Sequence, residues 1–244
     1  MFGAYQAGVW QALEGRFCFD LIAGASIGAL NGWAIAGGCP ANAWVEQWLN
    51  PAPEMLPVLR FPRGPRSGGK GGEPLEALAR HVYASFQPRV AFCVALTDLL
   101  RLRPYSVQTP NVEWIHLAAS CAVPLLMPQY RIAGRWTTDG GLLGPVPLWA
   151  AARQGAARIV AVNVMPRGGP WWLRSARAAL RLAGRAGEDP PPGAHVVLIE
   201  HSRPLGPLPE MLRWSRESAS RLVELGRREA EAALPAIEAM FGTF

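Results

Sequence analysis

The sequence predicts an α/β layered fold, and three observations carry that expectation. Short apolar runs of strand length alternate with stretches of helical spacing. At Gly24-Ala25-Ser26-Ile27-Gly28 a strand-like run passes into a helix-like one through a tight, glycine-flanked turn. The chain has 244 residues and is 50% hydrophobic, which suits one domain over 1–244 with a sizeable core.

The elements follow in order. Ala4, Ala7, Gly8 and Gln11 recur at helical spacing, so 4–13 reads as a helix, with Gly15 as its stop. The apolar run 17–23 reads as a short strand. Residues 27–37, rich in Ala and Gly, read as a helix that can pack closely on a sheet, and 43–49 as another. Residues 51–74 are dense in proline and glycine and carry Arg60, Arg63, Arg66 and Lys70, the pattern of a loop or lid. A strand over 89–98 and a short helix over 114–121, ending before Pro124, come next. Tyr130-Arg131-Ile132, Ala133-Gly134 and Arg135-Trp136-Thr137-Thr138 form a hairpin pattern. Strands over 157–165 and 195–200 follow, then a helix over 210–240 broken near Pro235.

Net charge is +6, nearly all of it arginine, with Lys70 the only lysine. That balance suits an anionic surface such as membrane headgroups, and equally an arginine-rich solvated face. No interleaved aromatic and basic motif supports nucleic-acid binding. Cys18, Cys39, Cys93 and Cys121 are far apart and form no Cys-x-x-Cys pair, so buried free thiols are expected rather than zinc or disulfides. The start lacks a basic segment before an apolar core, and the apolar window 22–39 is interrupted by Ser26, Asn31 and glycines. Together these read as a soluble, cytoplasmic chain with peripheral membrane contact at most.

Strand, tight turn and helix around Ser26 is the setting of a nucleophile elbow. Gly24 and Gly28 remove side chains where strand and helix approach, and the N–H of Ile27 is a natural oxyanion donor. A serine nucleophile needs a base. One candidate set is His81, His116, His195 and His201, with His195 or His201 in the order of an α/β-hydrolase triad. The other candidate is Asp139, whose following Gly140 and Gly141 let the backbone turn away; an ordinary Asp-Gly turn has the same look.

Gly3-Ala4-Tyr5-Gln6-Ala7-Gly8-Val9, then Gly24-Ala25-Ser26-Ile27-Gly28, then 118–128 (AASCAVPLLMP), then 136–147 (WTTDGGLLGPVP) occur in that order. This series resembles the patatin-like phospholipase family. The resemblance implies a three-layer α/β/α fold with a central, mostly parallel sheet. It implies a Ser26–Asp139 dyad without histidine or metal, no cofactor, and hydrolysis of lipid acyl esters through an acyl-enzyme. A carboxylate in a dry cleft suits that role, because desolvation raises its basicity. The match is incomplete at its start. Family members carry a first strand and a glycine-rich oxyanion loop before the first helix. Gly3 matches only the last glycine of that loop, and Phe2 stands where many members carry a basic residue. The expectation is a missing strand and loop: Met1 is an internal methionine of a longer product, or the chain is truncated. Either account implies weak activity. An α/β-hydrolase with a histidine base and a catalytically impaired lipid-binding scaffold remain as alternatives.

Residues 171–184 place Trp172, Ala176, Ala179, Leu180 and Ala183 on one helical face and Arg174, Arg177, Arg181 and Arg185 on the other. Such a helix suits a membrane interface, or a core-packed position with a solvated arginine face.

Overall fold

The structure is a computed structural model that describes residues 2–52, 73–124, 126–165, 175, 179, 193–203, 205 and 214–242. Most of the 51–74 segment and of the 171–184 helix predicted from sequence lies outside the described residues.

The elements are α1 (Phe2–Leu13), β1 (Leu21–Gly24), α2 (Ile27–Ala36), α3 (Ala41–Leu49), α4 (Glu73–Ser85), β2 (Ala91–Asp98), β3 (Arg103–Gln108), α5 (Trp114–Ser120), β4 (Tyr130–Ile132), β5 (Arg135–Thr138), α6 (Leu148–Arg153), β6 (Arg158–Asn163), β7 (His195–Glu200) and α7 (Arg216–Phe241). The architecture is mixed α/β. β1 pairs in parallel with β2, and β6 with β7; the hairpins β2–β3 and β4–β5, and the short β2–β5 contact, are antiparallel. β2 sits at the centre of its sheet, and its residues Phe92 to Asp98 are all buried, with the continuous apolar run Phe92–Leu96 of a strand covered on both faces.

Small residues let the layers close. A methyl group on Gly8 would lie 1.9 Å from the Val223 carbonyl oxygen, and one on Gly226 would lie 2.0 Å from that of Tyr5. The α1 and α7 backbones therefore touch through reciprocal glycines. Asn31, buried on α2, donates to the Gly3 carbonyl (3.1 Å) and to Gln6 Oε1 (2.7 Å) and accepts from the indoles of Trp44 (2.9 Å) and Trp48 (3.3 Å). This one amide ties α1, α2 and α3 together with every hydrogen-bonding valence used inside the core.

Several expectations need correction. The first strand begins at Leu21, not residue 17, because Phe17 and Phe19 join an aromatic cluster with Trp10 and Phe241 instead of a ladder. α7 continues through Pro235 without a break, held by Ile237, which is fully buried in the core beyond it. Cys18 is exposed, whereas Cys39, Cys93 and Cys121 are buried free thiols. Among the described residues no helix is long and apolar enough to cross a membrane.

The outer edge of β1 has no strand partner among the described residues, and neither has the edge of β6 opposite β7. Residues of both edges, Leu21–Gly24 and Arg158–Val162, line one cavity, roofed by α1 and α2 and floored by the Pro145–Leu148 turn and α6.

Candidate active site

Only Ala25 and Ser26 separate the end of β1 from the start of α2. Ser26 takes φ 53°, ψ −133°, a conformation that favours glycine and costs about 1–3 kcal/mol for a side-chain-bearing residue. The turn is closed by Gly28 N–H to the Ala25 carbonyl (2.9 Å) and Ala29 N–H to that of Ser26 (2.8 Å). A serine at a helix N-cap ordinarily accepts from the first-turn amides. Ser26 makes no such cap; its Oγ is turned away and donates to Asp139 Oδ2 at 2.6 Å. The strain thus directs a half-buried hydroxyl at a carboxylate 113 residues away in sequence.

Asp139 directly follows β5 and is 6% exposed. Its N–H donates to the Ala122 carbonyl (3.1 Å), and its Oδ1 accepts from Gly141 N–H (2.7 Å). Gly140 is required by proximity: a methyl there would lie 2.0 Å from the Ala95 carbonyl oxygen on β2. Burial, then the neighbouring Asp139 charge, pushes the Cys121 thiol well above its usual range, so that cysteine stays protonated beside the pair. Its sulfur is no competing nucleophile.

Ile27 is the first residue of α2, so its N–H has no carbonyl of its own helix to meet. Gly3 does not lie in a loop but in the first turn of α1, where a methyl would strike the Trp48 ring at 2.1 Å and the Ile27 side chain at 2.9 Å. Its position beside the elbow serves close packing. Gly28 is less constrained, since a methyl there would meet only the movable end of Gln6 at 3.2 Å.

Two of the four histidines have hydrogen-bond partners outside the Ser26–Asp139 pair, and the other two are exposed. His116 is buried at the start of α5, with Nδ1 accepting the Glu113 N–H at 2.9 Å. His201 bonds the Arg203 carbonyl, His195 opens β7 at an exposed position, and His81 is exposed on α4. Among the described residues, no three His, Cys, Asp or Glu side chains gather as a metal site.

Two features escaped sequence reasoning. Asn31 was legible only as a polar residue inside an apolar helix. Ser120 lies within a quoted block, but its partners come from three separate segments, and no local pattern announces them.

The site is thus a strained serine elbow whose hydroxyl meets a buried aspartate. The patatin-like phospholipase family model matches residues 1–152, and the chain belongs to that family. Among solved structures, the crystal structure of VipD from Legionella pneumophila is similar over 96% of this chain and 65% of that one, at 11% identity and a TM-score of 0.52. The type III effector protein ExoU is similar over 97% of this chain and 51% of that one, at 16% identity and a TM-score of 0.42. The chain therefore spans about half to two thirds of these proteins' length. The likeness to VipD is one of fold.

Proposed function

We propose that the chain is a single-domain lipid acyl hydrolase in which Ser26 is the nucleophile and Asp139 the base. The observation that carries this reading is the 2.6 Å contact between Ser26 Oγ and Asp139 Oδ2, made by a serine that forgoes its helix cap. Family membership supports the lipid substrate class.

Ser26 Oγ attacks the ester carbonyl carbon while its proton passes to Asp139 Oδ2. The oxyanion forms at the N-terminus of α2, where the Ile27 N–H and the helix dipole meet it. Collapse expels the alcohol, which takes the proton back from Asp139, and leaves an acyl-Ser26 ester. Water then attacks that ester with Asp139 again accepting a proton, and Ser26 is regenerated. Gly24, Gly28, Gly140 and Gly141 shape the two turns, and Gly3 fixes the start of α1 against the elbow. The mechanism requires no cofactor or metal.

Two accessory features belong to the same reading. A first strand with a glycine-rich turn would seat between the edges of β1 and β6 that lack a strand partner among the described residues. α1 runs back from Gly3, beside Ile27, to Leu13, near the beginning of β1, so a strand leading into α1 would run parallel to β1. An acyl chain is a poorer occupant, because it would leave both strand edges unsatisfied. Second, Leu100 and Trp136 are 76% and 44% exposed at the β2–β3 turn and on β5. Arg103, Arg131 and Arg135 flank them in sequence and are exposed, while Arg101 is paired with Asp98 at 3.1 Å. This end of the sheet suits contact with an anionic lipid surface.

The test is hydrolysis of a short-chain p-nitrophenyl ester by the chain, Ser26→Ala and Asp139→Asn. Loss in both variants with the fold intact supports the dyad. Turnover that survives Ser26→Ala refutes it, and labelling of Ser26 by a fluorophosphonate separates a working site from an inert scaffold.

A further inference from the structure

We infer that Ser120 is a positioning residue of this site, whose side chain holds the nucleophile's backbone in its strained turn. The inference rests on the Ser26–Asp139 reading and adds a residue to it.

Ser120 is the last residue of α5 and is fully buried. Its Oγ accepts the Ser26 backbone N–H at 3.0 Å and donates to the Ala95 carbonyl on β2 at 2.8 Å. Its own carbonyl accepts the N–H of Gly140 at 3.2 Å. One residue therefore grips both halves of the pair: the side chain holds Ser26, and the main chain holds the residue next to Asp139. Asp139 N–H bonds Ala122, two residues on, so the end of α5 is the common anchor for both turns.

The chemistry needs a hydroxyl. Ser26 N–H must find an acceptor and Ala95 C=O a donor, and a single O–H group supplies both. An alanine would orphan two buried backbone groups at once. The elbow would then be free to relax from φ 53° toward an ordinary conformation, because the bond that offsets its strain is gone. Relaxation rotates Oγ out of line with Asp139 Oδ2, and a misplacement of about 1 Å can cost on the order of 10²-fold in rate. The site is tight as well: a methyl on Gly140 would already lie 3.1 Å from Ser120 Oγ. Threonine keeps the hydroxyl at the cost of crowding, whereas cysteine keeps the shape with a weak donor and acceptor.

The experiment compares the chain with Ser120→Ala, Ser120→Thr and Ser120→Cys, and with Ser26→Ala as the reference for loss of the nucleophile. Thermal unfolding and circular dichroism give the folded fraction. Two rates are read per folded molecule: kcat and KM for a p-nitrophenyl ester, and the rate of fluorophosphonate acylation. The expected result is a fall in kcat and in acylation rate of roughly 10- to 100-fold for Ser120→Ala, with KM little changed. Ser120→Thr should recover most of the loss and Ser120→Cys little. Rates per folded molecule equal to the parent's in Ser120→Ala overturn the inference, as does a loss explained wholly by the unfolded fraction. An active Ser26→Ala overturns the dyad reading instead, so the two failures are distinguishable.

Discussion

Gly24 and Gly28 meet backbone to backbone where β1 passes into α2: a methyl group on Gly24 would lie 2.3 Å from the Gly28 carbonyl oxygen and 2.7 Å from the Ala29 α-carbon. Neither of those atoms can swing aside, since both belong to the first turn of the helix. Gly24→Ala must therefore push strand and helix apart at the elbow. The expected cost is about 1–3 kcal/mol of stability, with a larger proportional loss of turnover because Ser26 shifts relative to Asp139. Gly28→Ala should be much milder, as only the end of Gln6 has to move. Denaturant unfolding and ester hydrolysis of the two variants check this, and equal effects would contradict it.

His116 gives the fold a pH dependence with a definite sign. Burial depresses its pKa below the ordinary 6.5, outweighing the favourable effect of the Glu113 carboxylate. The neutral ring closes a capping box at the start of α5 by accepting the Glu113 N–H. A depressed folded pKa means that the unfolded chain binds the proton more readily. The stabilisation is complete above pH 6.5, declines as pH falls below that value, and levels off beneath the folded pKa. His116→Gln keeps an acceptor at the same capping position without titrating. Urea midpoints between pH 5 and pH 8 should fall on the acid side for the parent, and this component should be missing in the variant. Parallel pH profiles would rule the assignment out.

Pro235 lies inside α7 and removes the N–H that would meet the Glu231 carbonyl, yet the helix runs on to Phe241. Burial of Ile237 offsets the lost bond, which is why a local breaker fails to end the element. Pro235 is itself exposed, so alanine there should relieve the backbone without opening the core. Pro235→Ala is expected to stabilise the chain by about 1–3 kcal/mol, read as a higher thermal midpoint. An unchanged or lower midpoint would contradict this account.

The same contrast separates what the sequence made legible from what it hid. The elbow was readable because its signal is local: an apolar run, a serine between glycines, then small residues at helical spacing. The 130–138 hairpin was readable from its Ala-Gly turn, and β7 from its apolar run. β3 was not, because Arg103, Pro104 and Gln108 give it the look of a loop, and only pairing along all of Cys93–Asp98 makes it a strand. α6 is six residues long and hidden behind Pro147. In the site, Ser26 and Asp139 could be named through the family resemblance. The hold of Ser120 on Ser26 depends on contacts across 94 residues, which no periodicity encodes.

The arginine-flanked end of the sheet predicts a charge-dependent encounter with lipid. Leu100→Ala with Trp136→Ala should weaken sedimentation with phosphatidylglycerol-containing vesicles, and Arg131→Glu with Arg103→Glu should do so more steeply at low salt. Hydrolysis of a soluble p-nitrophenyl ester should be unaffected, since none of these side chains touches Ser26 or Asp139. Binding that is indifferent to anionic lipid content and to salt would dismiss this surface.

The edges of β1 and β6, which have no strand partner among the described residues, make the strongest demand on the chemistry. In the proposed mechanism the oxyanion meets the N–H of Ile27, and the loss of one such donor typically costs about 10²–10³ in rate. A glycine-rich turn entering α1 at Gly3 would arrive beside Ile27, where a further backbone N–H could meet the same oxygen. The strand before that turn would pair with β1 and β6 and complete one continuous sheet across the cavity they line. Extending the chain ahead of Phe2 by an apolar strand and a glycine-rich turn should therefore raise kcat by about 10²–10³ and also raise the thermal midpoint, because two strand edges become paired. A gain in stability without a gain in kcat would mean that the strand seats but the turn carries no oxyanion donor. Equal kcat and equal stability with and without the extension would show that the cavity does not accept a strand.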